Sequence, residues 1–430
     1  MSAPGYAPRA AAAHLLNGVL IEHRLLSDMV NSKDGPLAKL PPQGKARAQS
    51  LAGDTLRHLG RIDIVIDQFL QKEPPTSVRN ALRLATCELI VDGIPPHAAV
   101  DAVVRLVKNN RQTTRMAGMA NAVARRISEH GAEIWADLEP TELPAFLAKP
   151  IRNAYGADAL AAIELAHENG APLDITLQSP ADTDELVEAL EASVLSTGSL
   201  RLFEWGQIST MPGFEDGAWW VQDAAAAIPA QLLGDITGKT VLDICAAPGG
   251  KTMQLAAAGG DVTALDLSKY RMERVQENLN RTKLKAKIVV ADALKYRPEE
   301  LFDAILLDAP CSATGTIRRH PDLPHTKADL DLQPVLDLQK QMLNRAASWL
   351  KPGGLMVYCT CSLLPQEGET QVEEFLKAHP DYEQLPVNAE NFGLMPEWID
   401  DQGGMRLRPD FWADRGGMDG FYAAILKKRG

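Results

Sequence analysis

The sequence predicts a chain of three folded parts: an all-helical domain, a small α+β module and a larger α/β domain with a parallel sheet. Its 430 residues suffice for two or three domains at roughly 100–200 residues each. Apolar residues recur at helical spacing over 9–131, whereas short apolar strands alternate with helices from about residue 216. Such alternation is typical of βαβ units, which build parallel sheets. The expected parts are residues 1–138, 150–215 and 216–430.

The helical part is predicted from apolar residues that recur every three or four positions. Two proline pairs and a glycine, Pro74-Pro75, Gly93 and Pro95-Pro96, divide it into short helices. Three further prolines, the last at position 150, predict a linker over about 136–150. The periodic apolar residues are Ala12, Leu15, Leu16, Val19, Leu20, Leu82, Ala85, Leu89, Val100, Val103, Val104 and Val107.

The other two parts are predicted from their strands. Leu173–Leu177 alternates like a strand, Asp182–Leu195 has a helical pattern, and Leu200–Phe203 reads as a second strand. These three elements indicate a small α+β module. In the α/β domain, helices separate five short apolar strands. The five strands are Thr240–Cys245, Asp261–Leu265, Lys287–Val290, Ala304–Leu307 and Leu355–Tyr358.

Composition excludes several classes of protein. The chain is 45% hydrophobic and 23% charged, as in soluble globular proteins rather than disordered, collagenous or coiled-coil ones. No run reaches the ~18 apolar residues that a membrane helix needs. Five cysteines, two of them separated by a single residue, do not make a disulfide framework. We therefore expect free thiols in a reducing cytoplasm.

Charge is distributed unevenly along the chain. The net charge is −12, yet residues 1–135 hold 17 Lys and Arg against 12 Asp and Glu. Salt limits the reach of distant charges to about 8 Å, so a local basic patch can bind phosphates even on an acidic chain. A solvated helix face is the alternative interpretation. The basic stretch from 105 to 126 contains no acidic residue and consists of Arg105, Lys108, Arg111, Arg115, Arg125 and Arg126.

A glycine-containing turn joins the first strand of the α/β domain to the next helix, within Val241–Thr252. Glycine lets the backbone approach a ligand closely, and ligands of open α/β sheets bind at the carboxyl ends of strands. The turn is neither a Gly-x-Gly-x-x-Gly fingerprint nor a P-loop, because the glycine expected before Gly250-Lys251-Thr252 is missing. The turn residues are Cys245, Ala246, Ala247, Pro248, Gly249, Gly250 and Lys251.

An acidic residue lies at the end of each of the first four strands of the α/β domain. Asp266 comes 23 residues after Asp243, where a carboxylate can accept both ribose hydroxyls. Asp292 and Asp308 follow the third and fourth strands. One such carboxylate is usually a helix cap, but four at one sheet edge indicate a pocket for a nucleoside with a cationic tail. S-adenosylmethionine suits this pocket better than a phosphorylated dinucleotide.

Two cysteines, Cys311 and Cys361, follow strands at the same predicted edge and begin polar turns. Cys87, Cys359 and Cys245 are expected only to pack, as most buried cysteines do. Two thiols beside a methyl donor suit one reaction well. A thiolate that adds to carbon 6 of cytosine makes carbon 5 nucleophilic, and loss of the carbon 5 proton after methylation expels the thiol.

The motifs as a set resemble those of RNA cytosine-5 methyltransferases. The paired motifs Pro310-Cys311 (the Pro-Cys motif) and Thr360-Cys361 (the Thr-Cys motif) are highly specific for that group. The helical part resembles the NusB-like RNA-binding domain. Their fusion is characteristic of the bacterial RsmB (Sun/Fmu) family of 16S ribosomal RNA methyltransferases, and the resemblance covers nearly the whole chain. It rests on the segments Val241–Thr252, Ala264–Ser268, Asp308–Ser312, Thr316–Asp322, Tyr358–Ser362, Val221–Ala226, Met418–Ala423, His97–Val100 and Asn121–Arg125.

The resemblance implies a class I, Rossmann-like methyltransferase domain, an RRM-like middle module and methylation of carbon 5 of a cytosine in 16S ribosomal RNA. It implies Cys361 as the nucleophile, Cys311 as the residue that assists product release, and Asp308 at the base. S-adenosylmethionine would contact Cys245–Lys251, Asp266, Asp292 and Asp308. Arg318 and Arg319 would join the basic stretch in binding RNA. We expect a monomeric cytoplasmic protein with 16S ribosomal RNA as its partner, and neither a metal nor a membrane.

Three alternatives remain at this point. In the first, the substrate is another RNA, either transfer RNA or 23S ribosomal RNA. In the second, the protein is a non-catalytic RNA-binding assembly factor, against which the intact cysteines and acids argue. The third alternative, methylation of a protein, does not explain two cysteines, because nitrogen and oxygen nucleophiles need no covalent step.

Overall fold

The computed structural model of the chain describes residues 5–326 and 331–430. These residues form two compact units. Described residues of 5–170 and 317–326 make up the first, which we call the helical unit. Residues 171–316 and 331–430 make up the second, which we call the sheet unit. A short segment within the predicted α/β domain therefore belongs to the helical unit.

The helical unit packs its first seven helices around one apolar core, to which Leu15, Leu51 and Leu82 contribute fully buried side chains. Proline occupies the first position of α3 and α6, where its missing N–H would have no helical partner. The helices are α1 (Tyr6–Leu20), α2 (Leu26–Asn31), α3 (Pro42–Arg57), α4 (Leu59–Asp67), α5 (Thr76–Ile90), α6 (Pro96–Lys108), α7 (Ala117–Ala136), α8 (Ala145–Tyr155) and α9 (Ala157–Asn169).

The linker predicted over 136–150 is largely ordered as part of this unit. Pro144 directly precedes α8, where a proline costs no hydrogen bond, and Pro150 lies inside that helix. Leu143 donates its N–H to the buried carboxylate of Glu164 in α9 at 2.8 Å. In the sequence, prolines near the start of a helix resemble a linker. The structure instead places this segment inside the helical unit, which extends to residue 170.

The sheet unit begins with a small antiparallel sheet of four strands, in the order β2-β3-β1-β4, covered by one helix. The predicted α+β module is therefore confirmed. Its last strand lies beyond the boundary predicted at 215, because Ile175 in β1 pairs with Val221 in β4. The elements are β1 (Leu173–Leu177), α10 (Thr183–Leu190), β2 (Ser193–Val194), β3 (Leu200–Leu202) and β4 (Trp219–Val221).

The larger sheet of this unit has the order β10-β12-β9-β8-β5-β6-β7, with β11 paired to β12. Strands β5 to β9 are parallel, and β12 runs antiparallel to β9. Its elements are α11 (Ala224–Gln231), β5 (Thr240–Ile244), α12 (Gly250–Ala257), β6 (Asp261–Asp266), α13 (Lys269–Thr282), β7 (Lys287–Val290), β8 (Phe302–Asp308), α14 (Gln333–Ala347), β9 (Leu350–Thr360), α15 (Glu369–Ala378), β10 (Tyr382–Leu385), β11 (Met405–Leu407) and β12 (Phe421–Lys428).

The order of the parallel strands determines where a ligand can bind. The chain passes from β5 to β6 and β7 on one side, and then returns to β8 and β9 on the other side of β5. A crevice opens at such a switch point, outside the carboxyl ends of the strands. The five predicted strands correspond to β5 through β9, so the predicted α/β domain is confirmed. No helix of the described residues has both the length and the apolar character to cross a membrane.

Candidate active site

The turn after β5 carries unusual backbone conformations. Cys245 has a φ of 63° and Gly249 a φ of 105°, and helix α12 begins at Gly250. Side chains of α13 hold the turn from one side, because Arg271 donates to the carbonyl of Ala247 and Asn278 donates to the carbonyl of Pro248 at 3.1 Å. The N–H groups in the first turn of α12 lack helical acceptors. They make this end of the helix suitable for a carboxylate.

Asp266 is the last residue of β6, and Asp292 lies just after the adjacent strand β7. Asp266 is 6% exposed and accepts hydrogen bonds from the N–H groups of Ala247 at 3.3 Å and Ser268 at 2.8 Å. Asp292 is half-buried and accepts from the N–H of Leu294 at 2.9 Å. Since the N–H of Ala291 donates to the carbonyl of Asp266 at 3.1 Å, the two acidic turns are neighbours.

Asp243 is completely buried under the glycine turn. The hydroxyl of Thr252 donates to one carboxyl oxygen at 2.5 Å, while the other oxygen is buried without a hydrogen-bond partner among the described residues. Burial raises the pKa of Asp243 to about 7, although Thr252 and Lys251 act to lower it. A buried polar atom left unpaired costs about 1–3 kcal/mol. The turn is therefore suited to receive a polar group that completes this contact.

Lys251 pairs with Asp308 across the switch point. Its ammonium nitrogen lies 2.8 Å from Oδ2 of Asp308 and 5.2 Å from the ring centroid of Phe421. Burial alone would lower the pKa of Lys251, but Asp308, Cys359 and Asp243 together outweigh burial and raise it. The other carboxylate oxygen of Asp308 accepts from the thiol of Cys359 at 3.5 Å. Lys251, predicted only as a cofactor residue, thus also orients Asp308. The position of Lys251 in the turn does not reveal this second contact.

The structure brings Cys311 and Cys361 together, with their sulfur atoms 3.4 Å apart. They follow the adjacent parallel strands β8 and β9, in which Asp308 pairs with Cys359. The hydrogen bond to Cys361, together with burial, raises the pKa of Cys311 well above its ordinary value. The two thiols are therefore close enough to exchange a hydrogen bond.

The three other cysteines lie where packing was expected. Cys87 and Cys359 are fully buried, and burial raises the pKa of both thiols. Cys245 is half-buried in the glycine turn, and burial raises its pKa as well. A thiol whose ionised form is disfavoured in this way is a poor nucleophile. Cys311 and Cys361 differ from these three because their sulfur atoms are in contact with each other, which makes them the pair of interest.

Two outlying motifs meet behind the cysteines. One oxygen of Asp223 accepts hydrogen bonds from the N–H groups of Ala225 at 2.9 Å and Asp419 at 3.1 Å, which joins the segments 221–226 and 418–423. The N–H of Gly420 donates to the carbonyl of Gly315 at 2.8 Å. The N–H of Gly315 in turn donates to the carbonyl of Cys361 at 2.9 Å. These segments resemble family motifs in the sequence, and the structure shows that they hold the backbone of the Thr-Cys turn.

The predicted RNA-binding arginines differ in exposure. All six basic residues of the 105–126 stretch are exposed in the helical unit. Arg318 is buried, at 1% exposure, and its carbonyl accepts from Arg57 at 2.8 Å, while Arg319 is half-buried. The predicted RNA contact of Arg318 does not fit this placement. The segment that contains Arg318 makes further contacts within the helical unit. For example, the N–H of Leu26 donates to the carboxylate of Asp322 at 2.8 Å.

Among the residues that the structure describes, no three side chains of His, Cys, Asp or Glu are grouped in a way that could hold a metal ion. The acids of the site are instead engaged by backbone N–H groups and by Lys251. The arrangement offers two close thiols, an oriented carboxylate and acids at neighbouring strand ends.

Comparison with known proteins identifies both halves of the chain. A family model described as 16S rRNA methyltransferase RsmB/F matches residues 230–427, and a model of the NusB family matches residues 7–129. The first match contains the glycine turn, the acids and both cysteines of the site. The second lies within the helical unit. The chain therefore joins a NusB domain to a methyltransferase domain.

Individual relatives match over nearly the whole length. Ribosomal RNA small subunit methyltransferase B of Pseudomonas putida is 34% identical over 443 residues and covers 98% of both chains. The protein of the same name from Cronobacter sakazakii is 33% identical over 395 residues, which are 87% of this chain and 90% of that protein. Among solved structures, a methyltransferase homolog protein from Pyrococcus horikoshii matches with a TM-score of 0.54 and 28% identity, over 65% of this chain and 93% of that one.

Proposed function

We propose that this chain, which belongs to the family of ribosomal RNA small subunit methyltransferase B, methylates carbon 5 of a cytosine in 16S ribosomal RNA. The methyl donor is S-adenosylmethionine, and the reaction passes through a covalent bond between Cys361 and carbon 6. The observation that carries this proposal is the 3.4 Å distance between the sulfurs of Cys361 and Cys311, beside Asp308.

The residues around the glycine turn fit S-adenosylmethionine. The first turn of α12 presents N–H groups to a carboxylate, and the unpaired buried oxygen of Asp243 suits a polar hydrogen-bond donor. Asp266, held by two N–H groups, is oriented to accept the ribose hydroxyls. Asp292 on the neighbouring turn would lie near the adenine. When bound, the cofactor supplies the methyl group.

In the proposed reaction, the Cys361 thiolate attacks carbon 6 of the cytosine. The electrons of the carbon 5–carbon 6 double bond then make carbon 5 the nucleophile that accepts the methyl group. Cys311, the other thiol of the pair, serves as the base that takes the carbon 5 proton. The electrons of that carbon–hydrogen bond restore the double bond, and the bond between sulfur and carbon 6 breaks, which returns the Cys361 thiolate. Asp308, oriented by Lys251, accepts a hydrogen bond from the exocyclic amino group beside N3 and so fixes the ring for attack.

The two cysteines take different roles in this proposal. Cys361 attacks carbon 6, and Cys311 assists the later step, in which the carbon 5 proton is lost and the methylated base leaves Cys361. This division follows the role that the family resemblance implies for the Thr-Cys cysteine.

Bisulfite sequencing of RNA tests the substrate. We expect ribosomal RNA from cells that carry the gene to contain a 5-methylcytosine in 16S RNA that is absent when the gene is deleted, and restored by the wild-type gene but not by Cys361→Ala. Loss of a methylcytosine from transfer RNA or 23S RNA instead would contradict the proposed substrate. No change in any RNA would favour a non-catalytic assembly factor.

Substitution of Asp266 tests the cofactor site. Asp266→Ala removes charge-assisted hydrogen bonds to the ribose, each worth roughly 1.5–3 kcal/mol. We expect calorimetry to show an affinity for S-adenosylmethionine about tenfold lower or weaker still. The control is Asp261→Ala, which changes an exposed acid at the opposite end of β6. Equal affinities of wild type and Asp266→Ala would contradict the assignment.

Neutralising the basic stretch tests the RNA surface. We propose that Arg111, Arg115 and Arg125 contact phosphates, and each contact adds about 0.7–0.9 to the slope of log affinity against log salt. Changing the three to Gln should weaken RNA binding and reduce this slope by about 2, while cofactor affinity stays the same. Arg429→Gln serves as the control at an exposed site. An unchanged slope would identify the stretch as a solvated helix face.

A further inference from the structure

A fully buried carboxylate lies between the two cysteine turns. Glu367 is 0% exposed. One of its oxygens accepts from the N–H of Ser312 at 2.8 Å and from the amide of Gln339 at 3.1 Å. The other accepts from the hydroxyls of Ser312 and Ser362, each at 2.5 Å. Ser312 directly follows Cys311 and Ser362 directly follows Cys361, so one carboxylate binds both turns.

These four hydrogen bonds satisfy both carboxyl oxygens of Glu367. Among the described residues, no Lys, Arg or His forms an ion pair with it. A carboxylate buried without a cation needs its hydrogen-bond donors, since each donor lost leaves part of the desolvation cost uncompensated. The turns after β8 and β9 therefore cannot separate without a free-energy penalty. Glu367 holds the two turns together.

Glu367 and its partner Gln339 are themselves held by further hydrogen bonds. The backbone carbonyl of Glu367 accepts from the phenol of Tyr358 in β9 at 2.8 Å. Gln339 of α14 donates both to Glu367 and to the carbonyl of Pro310, at 2.8 Å for the latter, which ties down the residue before Cys311. The carboxylate thus has one position relative to the sheet.

We propose that Glu367 is a positioning residue that sets the spacing of the two thiols, so that Cys361 and Cys311 reach neighbouring atoms of one cytosine ring. This rests on the proposed two-thiol reaction, in which one sulfur bonds to carbon 6 and the other acts while the carbon 5 proton is lost. Glu367 does not touch the substrate. Its negative charge also contributes to the raised pKa of Cys311, after the hydrogen bond to Cys361 and burial.

Two variants of Glu367 separate its reach from its charge. Glu367→Gln retains the length of the side chain but presents an NH₂ group to donors, and Glu367→Asp retains the charge but draws it back by one methylene. We expect kcat to fall about 100-fold in both, because a shift of ~1 Å in a reacting group has that effect. The affinities for RNA and S-adenosylmethionine should stay the same. Glu374→Gln, an exposed change on α15, is the control.

Alkylation of the thiols gives a second readout that needs neither RNA nor cofactor. The folded full-length protein is treated with iodoacetamide over a range of pH, and the peptide that contains Cys311 is quantified by mass spectrometry. Loss of the Glu367 charge should favour the thiolate, so that Cys311 of Glu367→Gln reacts faster than Cys311 of the wild type at the same pH. A merely structural role would not move this profile.

The outcomes separate this proposal from the proposed function. A wild-type kcat, or a wild-type alkylation profile in folded Glu367→Gln, would overturn the positioning role and leave the reaction untouched. Replacement of Cys311 by Ala should block product release and trap a covalent RNA complex. Failure of Cys311→Ala to do so would count against the reaction, whereas the alkylation result would still stand. If Glu367→Gln does not fold, Ser312→Ala combined with Ser362→Ala removes the two hydroxyl donors. That variant should show a reduced kcat at unchanged cofactor affinity, and a wild-type kcat would overturn the proposal.

Discussion

Cys311→Ala is expected to leave the protein covalently attached to its RNA. In this variant the Cys361 thiolate can still attack carbon 6, and carbon 5 can still accept the methyl group. The step that releases the product lacks the thiol whose sulfur lies 3.4 Å from that of Cys361. A complex of protein and RNA should therefore migrate as one band on a denaturing gel. Its formation should require S-adenosylmethionine.

Cys361→Ala is the counterpart of this experiment. Without the nucleophile no adduct can form, and methyl transfer should fall at least about 1000-fold, as when other covalent enzymes lose their nucleophile. The double variant should form no adduct either, which shows that the trapped bond is made by Cys361. Cys87→Ala, at a buried cysteine of the helical unit, controls for the loss of a thiol. An adduct in Cys361→Ala and none in Cys311→Ala would reverse the two roles.

The position of the site could be predicted from the sequence because it depends on strand ends. Parallel strands of βαβ units place their carboxyl ends at one edge, so the acids after β5 to β8 had to meet there once the strands were recognised. The same reasoning brought Cys311 and Cys361 to one edge although 50 residues separate them. The distance between their sulfurs required the register in which Asp308 pairs with Cys359.

Side-chain partners could not be predicted in the same way. Lys251 reads as part of a glycine turn, and its pairing with Asp308 depends on how far α12 is rotated over the sheet. Glu367 lies in a short acidic run, and nothing in its spacing shows that it is buried beneath two serines. Arg318 reads as an exposed base, whereas the chain at that point packs on the helical unit and buries it. Each of these outcomes is decided by tertiary packing.

The C-terminal strands were also missed, because their partners are distant in sequence. Strand β12 inserts between β9 and β10 and runs antiparallel to both. The segment before it contains Gly420, whose motif is recognisable but whose role is not. The structure supplies that role, because Gly420 lies against Gly315 at the back of the Thr-Cys turn.

Gly315→Ala is expected to disrupt the site through the backbone. A Cβ at this position would lie 2.1 Å from the carbonyl oxygen of Gly420 and 2.6 Å from its carbonyl carbon. No side chain can rotate away, because both groups belong to the main chain. Overpacking in a core costs about 1–3 kcal/mol and more where nothing can relax. We expect a loss of at least about 3 kcal/mol in the free energy of unfolding, or roughly 6–12 °C in the Tm of a unit of this size.

The same change should reduce activity beyond its effect on stability. The N–H of Gly315 binds the carbonyl of Cys361 at 2.9 Å, so any shift that relieves the clash also moves the nucleophile. Methyl transfer by the folded fraction should fall about 100-fold for a displacement of ~1 Å. Gly206→Ala is the matched control, since a Cβ there meets nothing within 4 Å. Thermal unfolding and single-turnover methylation measure the two effects. A variant with wild-type Tm and rate would show that the 418–423 segment can move away from Gly315 at little cost, and that it does not hold the Thr-Cys turn.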